Sequence, residues 1–390
     1  MIDEQRQPVI LAAVRTPIAR AFAALNTVEV EHLIAPLIKA LLQRTGINGQ
    51  MIDDVIIGNA AGGGGNLARL GALTANLPVE IAGQTIDRQC GSGLEAIVLA
   101  SRLIQAGAGS IYIAGGAESV STAPWRVKKP KKPGELPQFF SRAQFSPETI
   151  GDPDMGMTAE NIAKHYGISR QRQDAFALQS HERTIHAQKA GSYRDEIIPI
   201  ETPKGLFTAD DCPRPNLNLQ TLSRLKPVFQ KDGTVTAGNS CPINDGACLV
   251  IVTSLAQAKV LAATYGLLFI DSAVMGVDPN FAGMGAVGAT RKLFERQSAF
   301  NLSNVSVIEF NEAFAAQVLA SLDVMQIAPD LVNRQGGAIA LGHPFGASGA
   351  ILVTRLFNQM KQIEKNSLGL ATMGIGGGMG ISALFQPYHA

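Results

Sequence analysis

The chain has 390 residues, 46% of them hydrophobic and 17% charged, and its formal net charge is +1. This suits a globular protein of two or three domains with sizeable cores, and gives no electrostatic case for nucleic acid or an anionic membrane as a bulk partner. Four cysteines without a CxxC pair (Cys90, Cys212, Cys241 and Cys248) are too few for a disulfide framework and fit a reducing compartment.

The first part alternates strand and helix signals. PVILAAVRTP reads as a strand, and VEVEHLIAPLIKALLQRTG as a helix stopped by Gly46. DDVIIGNA is a strand and GQTIDRQ a short extended run. CGSGLEAIVLASRLIQAG is a helix ending at Gly107, and SIYIAGGAESVS a strand entering a glycine turn. Such alternation predicts a mostly parallel sheet with helices on both faces. From Pro124 the chain turns rich in Pro and basic residues. With the helical stretches TAENIAKHYG and SRQRQDAFALQSHERTIHAQKAG, residues 118–243 read as an inserted, irregular subdomain. The alternation resumes with the strands ACLVIVTSL and YGLLFIDSAVMGV. Then come VSVIEFNEAFAAQVLASL (strand into helix), GASGAILVTRLFNQMK (helix) and SLGLATMGIGGG (strand into turn). The helices opened by CGSG and GASG are each followed by a loop, an apolar strand and a glycine cluster, which points to a duplicated α/β unit.

The start, MIDEQRQPVI, is acidic and polar, unlike a secretory or mitochondrial leader, and the apolar stretches are broken by Gly or Ser short of a membrane span. A cytoplasmic location is expected.

Few residues could carry chemistry. Cys90 stands at a strand-to-helix junction before Gly91, Ser92 and Gly93, where unpaired backbone N–H groups and the helix dipole favour a thiolate. Equally, a lone cysteine can be a small buried apolar residue. Of six histidines, His343 alone lies in a rigid small-residue turn, in GGAIALGHPFGASG. His181 and His186 are five apart, not the i,i+4 spacing of a helical metal pair, and no metal site is expected. Asn311 and Glu312 follow a strand and precede a helix, where side chains reach the crevice above a sheet, or Asn311 simply caps the helix. GIGGGMG has the wrong register for a dinucleotide fingerprint, which excludes NAD, but its N–H groups could hold an oxyanion. GGGGN (62–66) reads as a loop, and KKPKK as solvated surface.

Together, CGSGL around Cys90, MGMTAENIA, LKPVFQKDGTVTAGN, NDGA, NEAF at 311–314, GGAIALGHPFGASG and GIGGGMG resemble the thiolase family, in order and over nearly the whole chain. The resemblance implies an α/β fold of two duplicated βαβαβαββ halves in a five-layered αβαβα arrangement. The halves would be 1–117 with 244–257, and 258–390, with 118–243 the inserted loop domain. It implies a homodimer or homotetramer that cleaves 3-ketoacyl-CoA or condenses two acyl-CoA molecules, with coenzyme A as substrate or product and no resident cofactor. Cys90 would take the acyl group and His343 activate it. One oxyanion hole would use His343 and a water held by Asn311, the other the N–H groups of Cys90 and Gly376. Arg214, Cys241, Met155 and Phe314 match positions that meet coenzyme A or the acyl group.

The chain departs from the family at Gly374. There the resemblance expects the cysteine of C-x-G-G-G, which moves the proton at the α-carbon. Losing a general acid/base costs about a hundred- to ten-thousandfold in rate. Acyl transfer to Cys90 needs no such group, nor do thioester hydrolysis or decarboxylative condensation. The absent side chain would also enlarge the pocket. A non-catalytic acyl-CoA-binding paralogue is the reading from another class. Cys241 replaces a serine that the family places on the pantetheine side, which counts against its standing in for the missing thiol. Asp154 replaces a histidine and Ala286 a proline.

Overall fold

A computed structural model describes residues 3–390. The strands that build its main sheet are β1 (Pro8–Arg15), β2 (Asp54–Gly58), β3 (Ala82–Ile86), β4 (Ile111–Glu118), β5 (Asn244–Ser254), β6 (Tyr265–Gly276), β7 (Val305–Phe310), β8 (Leu368–Ile375) and β9 (Met379–His389). Their principal helices are α1 (Val30–Thr45), α2 (Leu67–Thr74), α3 (Ser92–Ala106), α4 (Met155–His165), α5 (Arg170–Lys189), α6 (Gly285–Arg296), α7 (Ala315–Met325) and α8 (Phe345–Gln359). Strand β9 is a strand that the sequence reading did not assign.

Local sequence accounts for the helices that matter most. Helix α3 buries Leu94, Ile97, Val98, Ser101 and Ile104 at three- and four-residue spacing, and stops where Gly107 adopts a left-handed φ of 76°, which strains glycine less than any other residue.

 Gly46 ends α1 in the same left-handed way, at φ 68°. Helix α1 buries Leu33, Ile34, Leu37, Ile38 and Leu41 along one stripe, each such side chain contributing about 1.5–3 kcal/mol.

The sheet runs β7-β8-β9-β6-β1-β5-β4-β2-β3, with Ala19–Arg20 paired to β5. Its two flanks repeat one pattern. In the first, β2 is parallel to β4, and β4–β5 and β5–β1 are antiparallel. In the second, β7 is parallel to β8, and β8–β9 and β9–β6 are antiparallel. The flanks join where β1 meets β6 through Val9–Leu268 and Ile10–Leu267. The first flank also has β3 parallel to β2, whereas its counterpart in the second is a single parallel bridge between Ile308 and Val332. Three cores follow from this arrangement. One fills the space between the flanks with α3 and α8, one lies under α1 and α2, and one lies under α6 and α7. The layering is therefore helix, sheet, helix, sheet, helix.

Between β4 and β5 the chain carries the hairpin of Arg126–Lys128 with Gln138–Phe140, then α4 and α5, then the hairpin of Ile200–Thr202 with Gly205–Phe207. The segment is more ordered than its composition suggested.

Glycine lets the two central helices touch. A Cβ on Gly93 of α3 would lie 2.5 Å from the Gly346 oxygen of α8, and one on Gly116 of β4 would lie 1.9 Å from the same atom. Both partners are backbone and cannot retreat cheaply. Gly116→Ala is accordingly expected to lower stability by about 3 kcal/mol or more, read as a fall in the urea midpoint.

Candidate active site

Cys90 lies in the turn between β3 and α3. Gly91 N–H donates to the Arg88 carbonyl (3.0 Å) and Ser92 N–H to that of Gln89 (3.1 Å). Ser92 Oγ accepts from Arg88 N–H (2.8 Å) and donates to the Gln89 carbonyl (2.6 Å). Gln89 is held at a left-handed φ of 48°, so the turn is sharp and strained just before the thiol. Cys90 is half-buried, and the backbone N–H of Gly376 faces its sulfur. The resting thiol departs from expectation: loss of water pushes it up to about 12, against the pull of Gly376 N–H, with Glu118 and Asp87 adding to the rise. Burial outweighs the helix start, so the sulfur is a thiol that a base must activate.

His343 lies three residues before Gly346, as Cys90 lies three before Gly93. The contact between those glycines brings the two turns to one place. His343 N–H donates to Asn244 Oδ1 (2.9 Å). Gly342, at φ 114°, must lack a side chain, because a Cβ would lie 2.4 Å from Asn244 Nδ2. The His343 Nδ1 is 2.6 Å from Ser348 Oγ, which itself donates to the Pro344 carbonyl (3.0 Å). A hydroxyl has one hydrogen, so Ser348 accepts from Nδ1–H and leaves Nε2 unprotonated. Burial lowers the imidazole to about 4, which keeps it neutral near pH 7. Ser348→Ala leaves a buried Nδ1–H unpartnered, at about 1–3 kcal/mol. Its kcat is expected to fall roughly ten- to hundredfold, by steady-state kinetics.

Glu118, at the end of β4, ties these parts together. It accepts from Gly346 N–H (2.9 Å), Ala60 N–H (3.0 Å), Ala61 N–H (3.0 Å) and Asn59 Nδ2 (2.9 Å). Its charge faces the start of α8, where the helix dipole favours it. Burial nonetheless raises it to about 6.

Asn311 is buried just past β7, and its N–H donates to the Thr372 carbonyl (3.1 Å). Its Nδ2 has no partner among the described residues. Asn311 and Ser348 both line a cavity of about 20 Å³, enough for one water. Glu312 accepts from Ser180 Oγ (2.6 Å), Asn333 Nδ2 (2.7 Å) and Ile339 N–H (3.1 Å), fixing the loop before His343. Asn311 does not cap α7, whose N-cap is Phe314.

Gly376 opens the turn between β8 and β9, with Gly377 and Gly378 at φ 84° and 79°. A Cβ at Gly376 would lie 3.0 Å from the Phe145 ring and 3.6 Å from Met155 Sδ, so Met155 stands over this turn. The expected enlargement at Gly374 is not found. A Cβ there would lie 2.7 Å from the Gly283 oxygen, so backbone from the segment before α6 closes against it.

Phe314 joins Met155, Ala159 and Val235 in a small cluster, edge-on to Phe229 at 6.1 Å. Cys241 is half-buried, and its N–H donates to the Ala313 carbonyl (3.0 Å). Arg214 is exposed. Its N–H donates to His181 Nδ1 (3.2 Å), and no hydrogen bond or ion pair of its guanidinium reaches the Cys90, His343 or Asn311 turns among the described residues. Asp154 pairs with Arg142 (3.2 Å).

The profile of the thiolase N-terminal domain matches residues 8–256, and that of the thiolase C-terminal domain matches residues 265–387. The chain belongs to the thiolase family. A Staphylococcus epidermidis relative provisionally named acetyl-CoA C-acetyltransferase VraB is 46% identical to this thiolase over 386 residues, covering 98% of this chain and 99% of the relative. The Staphylococcus aureus (strain MRSA252) protein of that name is 47% identical over 384 residues, covering 98% and 100%. The crystal structure of the Bacillus anthracis acetyl-CoA acetyltransferase superposes with a TM-score of 0.90 at 34% identity, covering 98% of this thiolase and 99% of that chain. No helix among the described residues is long and apolar enough to cross a membrane.

Sequence reasoning missed Ser348, Glu118, Asn244 and Phe145 in this thiolase. Ser348 had a signal, since it lies in the quoted GHPFGASG motif one helical turn past Pro344. Phe145 had none, because the long loop that carries it has no periodicity.

Proposed function

We propose that this thiolase transfers short acyl groups between thioesters, as an acetyl-CoA C-acetyltransferase, through an acyl group carried on Cys90. The observation that carries this reading is the meeting of the two glycine-joined turns, with a neutral His343 whose Nε2 is free and a Cys90 sulfur already facing Gly376 N–H. His343 takes the Cys90 proton as the sulfur attacks a thioester or ketone carbonyl. The developing oxyanion is met by the N–H groups of Cys90 and Gly376, or by His343 with a water on Asn311 Nδ2. Met155 and Phe314 border the acyl group.

Coenzyme A enters as substrate and leaves as product, and the reading includes no resident cofactor. Arg214 belongs to it only as a surface contact for coenzyme A. Two or four copies would associate, a reading supported by the exposed Trp125, Leu136 and Phe139 on the inserted arm. The four free cysteines fit a cytoplasmic location.

The test is exchange of label between coenzyme A and acetyl-CoA, which needs only an acyl-enzyme. Exchange that disappears in Cys90→Ser supports the reading. No exchange by the parent protein, with no acetyl group on Cys90, overturns it.

A further inference from the structure

The starts of α3 and α8 meet at the end of β2, and one buried carboxylate is bonded into that meeting point. We infer that Glu118 is a positioning residue for acyl transfer: it fixes the first turn of α8 against the end of β2, and so sets where His343 stands relative to Cys90. The inference rests on the acyl-Cys90 reading above.

The end of β2 touches both helix starts. A Cβ on Gly58 would overlap the Ser92 backbone of α3, two residues past Cys90. A Cβ on Gly346 of α8 would lie 2.8 Å from the Gly58 oxygen and from Asn59 Cα, and 3.1 Å from Glu118 Oε2. The Gly346 oxygen in turn meets Gly93 and Gly116. Such contacts keep α8 from moving closer to α3, but contact alone does not keep it from moving away. The hydrogen bonds of Glu118 do. Its Oε2 accepts from Gly346 N–H (2.9 Å) and Ala60 N–H (3.0 Å), and its Oε1 from Ala61 N–H (3.0 Å) and Asn59 Nδ2 (2.9 Å). One carboxylate thus holds the first turn of α8 to three consecutive residues past β2.

That turn carries the base. His343 lies three residues before Gly346, and Ser348, which takes the His343 Nδ1–H, lies two after it. A displacement of Gly346 therefore carries the imidazole and its partner together, away from Cys90. The carboxylate is specific to this task. Ionised, it offers acceptor sites to all four donors and no hydrogen to oppose them, whereas a glutamine of the same shape turns an NH₂ group onto two of the four. Glu118 is fully buried, so these bonds are what offset the desolvation of its charge.

The test measures kcat and KM for label exchange between coenzyme A and acetyl-CoA in Glu118→Gln and Glu118→Asp, each made in the parent and in His343→Asn. Gln keeps the length and loses acceptor sites, while Asp keeps the charge but is a methylene shorter. In the parent background kcat is expected to fall about ten- to hundredfold in both, the scale of an ångström-sized misplacement, with KM within about threefold. In His343→Asn the same substitutions are expected to cost no more than about threefold, because Glu118 acts through His343. An equal fall in the two backgrounds overturns the inference, since a general structural role lowers both alike. So does kcat within about threefold of the parent in either variant, or a rise in KM alone. Failure of both variants to fold, read by circular dichroism, marks a structural role and overturns it too. All these results leave acyl transfer standing, whereas a parent that does not exchange label removes the acyl-Cys90 reading itself.

Discussion

Cys90→Ser is expected to lower label exchange between coenzyme A and acetyl-CoA by about 10⁴-fold or more. The Gly376 N–H, the strained Gln89 and the neutral His343 all remain in that variant. What changes is the acidity and nucleophilicity of the attacking atom, since an alkoxide is far harder to generate than a thiolate. The parent's own thiol is already difficult to ionise at about 12, so His343 has little capacity left for a more basic hydroxyl. A fall under tenfold would mean that another group carries the acyl chain.

His343→Asn is expected to cost about 10²–10⁴ in the same exchange, as the loss of a general base does. The pH profile gives a sharper reading. His343 acts in its neutral form and is lowered to about 4, so parent activity attributable to this base should persist well below pH 6.5 and decline near 4. Stability carries the same sign. The folded state holds the imidazole neutral, while the unfolded chain binds a proton near 6.5. The stabilisation is therefore present above 6.5 and is lost as pH falls toward 4, by about 3 kcal/mol at most. His181 is lowered to about 4 as well, so the variant removes only part of the acid destabilisation. Urea midpoints at pH 7 and pH 5 check this: the difference should be smaller in His343→Asn than in the parent.

Much of the frame was legible because glycine positions and apolar periodicity mark it. The CGSG and GASG helix starts identified α3 and α8, and the structure shows why those residues are small: their backbones touch at Gly93 and Gly346. The state of the Cys90 thiol was not legible. Sequence gives the helix start that favours a thiolate, but not the burial that opposes it more strongly. Gly374 shows a related limit. An absent side chain reads as empty space, whereas the Gly283 backbone fills it. The surroundings of Cys241 depend on contacts between residues 239–244 and two turns far along the chain, and local spacing carries no record of them.

The most direct test of acyl transfer through Cys90 is peptide mass analysis after acetyl-CoA is mixed with the protein and quenched in acid. The account predicts one acetyl group on the peptide containing Cys90, removed by added coenzyme A and absent in Cys90→Ser. Acetyl-CoA turned over with Cys90 unmodified at every quench time, and at an undiminished rate in Cys90→Ser, would contradict it.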